Sequence, residues 1–186
     1  MGPERSKSDR LREWDEHRLV ARIERADRTS VHGVIPGHFF SAASSECRDA
    51  FIDGHFYACI SLCQAVAEAL SRYLGDAHKL GAKKDPAQRV RRLRGADAIS
   101  QSVSDAFACI RGNDRNAFHH VNPDIPTGYE ELETRAEECV NSLLTIESDV
   151  FAFHIVEGRV APGKPEYWPA PDSQHMMDVF VRLQGH

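Results

Sequence analysis

The run RNAFHHVNP, residues 115–123, sets an arginine, an asparagine and two adjacent histidines just ahead of a proline. Arginine offers a permanently charged planar fork that fits a phosphate and can hold the extra negative charge of a pentacovalent phosphorane. Histidine, with an ordinary pKa of about 6.5, takes a proton from a ribose 2′-hydroxyl or gives one to a leaving oxygen near neutral pH. An asparagine one turn from it can fix which ring nitrogen faces the substrate. Arg115, Asn116 and His120 therefore suit phosphodiester chemistry, with His119 as a neighbouring second imidazole. The scheme calls for no metal and no other cofactor.

Those residues must be positioned by a short helical segment between two loops. Gly112, Asn113 and Asp114 interrupt the helix that carries Ile110, and Asp114 can cap a new turn that begins at Arg115. Pro123 biases Asn122 away from helical geometry, so the turn ends near Val121. Residues four apart share a helix face, which sets Asn116 beneath His120 and Arg115 beneath His119. Arg115 and His120 diverge by roughly 140° around the axis. They meet on one ligand only if Arg115 reaches round, or if a second subunit presents the same pair from the opposite side. An arginine with a histidine at similar spacing also occurs at Arg12/His17, Arg48/His55 and Arg72/His78, so spacing alone selects nothing. The distinguishing context is the adjacent asparagine, the doubled histidine, the capped turn and the position at a helix junction.

The surrounding elements read as helices. Ile52, Phe56, Cys59, Cys63, Val66, Leu70 and Tyr73 step by four and three, one face of a long helix. Leu132, Ala136, Cys139, Leu143, Ile146, Val150 and Phe153 repeat that stepping, as do Ile99, Val103, Ala106 and Ile110 more briefly. Thr127 with Glu130 forms a capping-box pattern, and Gly158 stands where a left-handed helix end is expected. Asp85-Pro86 predicts an N-cap with proline at the first helical position, opening a basic helix that breaks near Gly95. A further amphipathic helix is expected from about Asp9 to Ala26. No run alternates convincingly with period two, so the expected class is all-α, an up-and-down helical bundle. Pro162, Pro165, Pro169 and Pro171 make an extended tail, whose apolar MMDVFVRL can close against the core or a second subunit.

Composition bounds the rest. With 186 residues, 41% hydrophobic and 27% charged, the chain suits one folded domain with arms at its ends. VFAFHIV falls far short of the roughly 20 apolar residues that cross a bilayer, and the polar start has no apolar leader core, so a cytoplasmic protein with no membrane partner is expected. Five cysteines without a C-x-x-C pair are read as reduced and mostly buried. Net charge is only −5, yet it is polarised: residues 79–94 carry seven basic side chains against one acid, and residues 124–157 nine acids against one base. Lys83, Lys84, Arg89, Arg91, Arg92, Arg94 and Arg111 are the candidate phosphate contacts, weighed against a merely solvated helix face. His55, Cys59 and Cys63 at i, i+4 and i+8 have a zinc-compatible spacing, but the cysteines also belong to the apolar seam. Glu68 is a rim residue or a carboxylate facing the site, and Tyr167 and Trp168 either stack on a base or pin the tail to its own core.

RNAFHH fits the R-N-x-x-x-H motif of HEPN domains, and GHFYACISLCQAVAEALSRYL resembles the long early helix of that family, over roughly residues 40–158. The resemblance implies a HEPN-like helical bundle at residues 37–158, preceded by an N-terminal helical arm at 1–36 and followed by a Pro-rich tail at 159–186 that packs on the core or on a dimer partner. It further implies a homodimeric, metal-independent endoribonuclease of a toxin or antiphage setting, with Arg115, Asn116 and His120 lining a cleft across the dimer. RNA and an antitoxin or operon-encoded partner protein are the implied partners. His119 and the NPDIP loop depart from the pattern. A HEPN-like module that binds RNA or protein without chemistry is the alternative, and a zinc-binding regulator a third.

Overall fold

Ser6 opens the first helix: its hydroxyl accepts from the Asp9 N–H at 3.1 Å while the Asp9 carboxylate accepts from the Ser6 N–H at 3.2 Å, so two of the orphan donors of a helix start are satisfied reciprocally. The computed structural model describes residues 6–29, 34–36, 41–81, 85–112, 128–168 and 180–181. They form α1 (Lys7–Arg28), β1 (Val34–Ile35), α2 (Ser41–Ile52), α3 (Phe56–Ala77), α4 (Pro86–Gly95), α5 (Gln101–Arg111), α6 (Tyr129–Val150), β2 (Phe153–Val156), β3 (Arg159–Pro162), a 3-10 turn (Pro165–Tyr167) and β4 (Phe180–Val181). The class is all-α, with two small antiparallel pairs attached. Among the described residues no helix is long and apolar enough to cross a membrane.

At the centre stands α3, packed against α2, α4, α5 and α6. Two stripes run along it. Phe56, Cys59, Cys63, Val66 and Leu70 are buried as the expected seam, and the Cys59 thiol lies 3.9 Å from the Ala136 carbonyl of α6. The second stripe, Ile60, Gln64, Ala67, Ser71 and Leu74, is buried too. Its Gln64 donates to the Ile110 carbonyl of α5 at 3.5 Å, and its Ser71 accepts from Arg89 of α4 at 2.9 Å. A helix apolar or small on two stripes is one enclosed by neighbours on both.

Several boundaries depart from the sequence reading. The helix expected from Ile52 is two: α2 ends at Ile52, Gly54 turns the chain at φ +77°, and α3 starts at Phe56. Only glycine adopts that left-handed conformation without a Cβ penalty. Asp85 caps α4 through the Ala87 N–H at 2.9 Å, with Pro86 at the first position as expected. The N-cap of α6 is Gly128, one residue after Thr127, which lies outside the described residues. Gly158 does not end a helix: α6 stops at Val150, and Glu157 (φ +51°) with Gly158 (φ +75°) forms the two-residue turn of a β2–β3 hairpin, Val156 opposite Arg159. Paired left-handed residues are what a tight hairpin of this twist requires. The hairpin escaped a period-two reading because Ile155, Val156 and Val160 are all exposed, so neither face is reserved for a core.

The tail is anchored by Tyr167, which is buried. Its hydroxyl donates to the Ala98 carbonyl at 3.3 Å and shares a 2.5 Å hydrogen bond with His78 Nε2, while its own carbonyl accepts from the Tyr73 hydroxyl at 2.9 Å. Burial pushes the phenol up to about 12, so it stays neutral. Lys164 pairs with Asp149 of α6 at 2.6 Å. Beyond it, Phe180 and Val181 pair antiparallel with Ile35 and Val34.

A row of arginines holds α1 in place. Arg25, only 7% exposed, meets the Glu133 carboxylate of α6 at 3.2 and 3.4 Å, the Ile52 carbonyl at 3.3 Å and the Tyr129 hydroxyl at 3.4 Å, its guanidinium over the Phe56 ring. Arg28 binds Glu133 as well and reaches Glu137 at 2.9 Å. Arg22 pairs with Asp53 at 2.8 Å, and Arg18 donates to the Asp53 carbonyl. Leu11, Trp14, Leu19, Val20 and Ile23 are exposed, so α1 is held by charge more than by apolar burial.

Candidate functional site

The motif residues Arg115, Asn116, His119 and His120 lie outside the described residues, as do Lys83 and Lys84. What is described is the helix that leads to them. Ser100 caps α5 by accepting from the Val103 N–H at 3.2 Å, and Val103, Ala106, Phe107 and Ile110 bury its inner face. The far end is closed by Gly112, whose N–H donates to the Ala108 carbonyl at 3.0 Å from a backbone of φ +45°. From α6, Arg135 donates to the Cys109 carbonyl at 3.0 Å and pairs with Glu138 at 3.1 Å. A cation on the orphan carbonyls of a helix C-terminus satisfies them and suits the helix dipole. A Cβ on Gly112 would run into the Arg135 guanidinium. The chain thus leaves α5, three residues short of Arg115, in a direction set by a glycine and an arginine.

Beside the last two turns of α5 lies a cavity of about 130 Å³, lined by α3, α4 and α5 and open to solvent on one side. Its walls are mostly apolar, from Ala67, Val90, Phe107, Ala108 and Ile110. Six polar side chains join them: Gln64, Glu68 and Ser71 from α3, Arg91 from α4, and Ser104 and Arg111 from α5. Gln64 is 7% exposed. Its Nε2 donates to the Ile110 carbonyl at 3.5 Å, and among the described residues its buried Oε1 has no donor. A buried carbonyl oxygen left unpaired costs about 1–3 kcal/mol. Glu68 sits on the wall, paired with Arg72 at 3.0 Å.

The basic stripe divides into parts. Arg89 turns inward, 7% exposed, its Nη1 on the Ser71 hydroxyl and its methylenes against Gly75. Arg94 is engaged with Asp97 at 3.0 Å and with Gln101 at 3.3 Å. Arg91, Arg92 and Arg111 are exposed and carry no ion pair among the described residues. Of the expected phosphate contacts, Arg91 and Arg111 are the two that share a cavity rim, whereas Arg89 serves packing.

Four of the five cysteines occupy the core, and Cys109 is partly exposed. Cys47, Cys59, Cys63 and Cys139 are buried. Hydrogen bonds with Cys47 and Cys59, then burial, push the Cys63 thiol well up, and burial lifts Cys139 to about 12. Such thiols stay protonated, unsuited to nucleophilic attack. His55 is exposed at the start of α3, and no group of three metal-type side chains converges among the described residues. Tyr167 is committed to the core, as described above.

Gln64 escaped the sequence reading. The available signal was the second stripe itself: Ile60, Gln64, Ala67, Ser71 and Leu74 step by four, three, four and three, so a glutamine and a serine occupy buried positions on a helix with a complete apolar seam elsewhere. The chain matches no protein-family model, no curated protein and no solved structure.

Proposed function

We propose that this protein is a HEPN-like, metal-independent endoribonuclease that acts as a homodimer. In this reading the 2′-oxygen of a ribose attacks the adjacent phosphorus and the P–O5′ bond breaks, leaving a 2′,3′-cyclic phosphate and a 5′-hydroxyl. His120 takes the 2′-hydroxyl proton or protonates the leaving oxygen, Arg115 stabilises the phosphorane, and Asn116 orients the imidazole or the phosphate. A second subunit supplies the opposing pair, and a toxin or antiphage role with an antitoxin partner would follow from that activity.

The observation that carries the reading is the cavity rim. Two exposed arginines without ion pairs among the described residues, Arg91 and Arg111, flank an apolar cavity beside the helix end that precedes the RNAFHH segment in the chain. Cations left unpaired at a concave site favour a polyanion. The same arginines also support a second reading, in which the chain binds RNA without cutting it.

The deciding experiment incubates wild-type and His120→Ala protein with mixed structured and single-stranded RNA in EDTA and resolves the ends of the fragments. Cyclic-phosphate products from the wild type alone are expected. Intact RNA in both lanes, with RNA still retained in a gel shift, would replace the nuclease with the binding module.

A further inference from the structure

Along α1 the apolar and charged residues have exchanged their usual places. At roughly 100° per residue, Arg18, Arg22, Arg25 and Arg28 share one side of the helix, where Asp53, Glu133 and Glu137 answer them. Leu19, Val20 and Ile23 fall on the opposite side, turned to solvent and 51%, 64% and 52% exposed. A surface helix ordinarily turns its apolar stripe to the core and its charges to water; α1 does the reverse. Three carboxylates surround the exposed stripe. Glu16 lies one turn before Leu19 and Val20, and Glu24 and Asp27 lie one turn after Val20 and Ile23. All three are exposed and carry no ion pair among the described residues. Arg12, a turn before Glu16, is the one base on this side. Residues 6–17 are all exposed too, so the first turns of α1 bury no side chain.

From this inversion we infer that the outer face of α1 is a docking surface for a basic amphipathic helix of a partner protein. The partner's apolar side chains cover Leu19, Val20 and Ile23, and its lysines or arginines meet Glu16, Glu24 and Asp27 around them. Charge selects this occupant. RNA and an anionic lipid surface are both repelled by the same carboxylates. A second α1 laid on the first would set three acids against a face that carries the same three. Three adjacent aliphatic side chains make a small contact, so the complex belongs to the transient class. The inference is independent of the nuclease reading and uses none of its residues.

The test titrates the full chain into a labelled synthetic helix of leucine and lysine at heptad spacing, read by fluorescence anisotropy, with a leucine and glutamate helix as its counterpart. The lysine peptide should bind saturably and about tenfold tighter than the glutamate one. The double reversal Glu16→Lys with Glu24→Lys should weaken it about tenfold. Glu130 and Glu131, exposed in the first turn of α6, give a control of equal net charge: Glu130→Lys with Glu131→Lys should change binding by less than about threefold. Val20→Ser with Ile23→Ser should also weaken it about tenfold while leaving its salt dependence as in wild type. These positions all face solvent, and an unchanged urea midpoint confirms that each variant folds. Equal binding of the two peptides, or equal loss from the α1 and α6 reversals, would reduce the effect to diffuse attraction and overturn the inference. A wild-type dimer that the α1 reversal dissolves, or retention of wild type on phosphatidylserine vesicles, would also overturn it, because either gives the face a different occupant.

Discussion

Between α1 and α6, Arg25 and Arg28 converge on one carboxylate, Glu133, and their remaining donors find Ile52, Tyr129 and Glu137. Between α4 and α5, Arg91 and Arg111 flank a cavity with no ion pair among the described residues, above a glutamine whose oxygen has no donor. One residue type thus does two jobs. At the first place every charge is answered inside the chain, which is what a structural contact needs. At the second, charge and hydrogen-bonding capacity are left over, which is what a ligand site needs. The count of basic residues along the chain does not separate the two; their partners do.

The harshest way to break the first region is Arg25→Ala. It strips Glu133 of its most buried partner and frees the Ile52 carbonyl and the Tyr129 hydroxyl. Breaking a buried ion pair by removing one partner costs about 3–5 kcal/mol, and because Glu133 keeps Arg28 the lower end, about 3 kcal/mol, is expected. Urea unfolding of the full chain measures it, and a loss under about 1 kcal/mol would show that α1 is held by something else. The next effect is Gly112→Ala. With φ +45° and ψ 175° Gly112 sits where essentially only glycine is at ease, so a Cβ costs about 1–3 kcal/mol, and it displaces Arg135 from the Cys109 carbonyl. A lower thermal midpoint together with reduced RNA cleavage is the expected pair of results, since the change disturbs the helix end that leads to the motif.

Acid should weaken the first region selectively. Burial pushes the Glu133 carboxyl up, but its hydrogen bonds with Arg25 and Arg28 and their charges outweigh that and hold it below the ordinary value of 4.5. A carboxylate depressed in the folded state contributes stability that is fully present above the unfolded value and is lost as the pH falls through the folded one. Stability should therefore decline below about pH 4.5, and Glu133→Gln should flatten that part of the profile. A profile unchanged by the substitution would place the acid-sensitive contact elsewhere.

Much of the bundle was legible because it follows from periodicity and caps. The seams of α3 and α6 and the Asp85-Pro86 start of α4 appear as expected, and α1 is a helix as expected, although its apolar residues Leu11, Trp14, Leu19 and Ile23 are exposed. The misses share a cause: they depend on contacts between distant parts of the chain. Gly158 has the same positive φ in a hairpin turn as at a helix end, and the exposed β2–β3 pair has no core face to impose alternation. Arg89 and Arg91 are two residues apart in one basic run, yet Ser71 draws the first inward while the second reaches the cavity rim. The site was legible only as a motif. Arg115, Asn116, His119 and His120 fall outside the described residues, and the cavity that borders their helix comes from three helices whose convergence no local pattern states.

The smallest effect on stability is expected from the double substitution Arg91→Ala and Arg111→Ala, and it sharpens the comparison most. Neither side chain answers a charge within the described fold, so removing both should leave the unfolding midpoint within about 0.5 kcal/mol of wild type. Binding to single-stranded RNA should respond instead. Each lysine or arginine on a phosphate adds a little under one to the slope of log affinity against log salt concentration, so the slope should fall by roughly 1.4 for the pair on a single strand. Arg94, already engaged with Asp97 and Gln101, serves as the internal control: Arg94→Ala should change that slope by less than either cavity arginine. If Arg91 and Arg111 prove silent in the salt titration while Arg94 does not, the unpaired arginines at the rim are solvated surface, and the division between answered and unanswered charge loses its functional meaning.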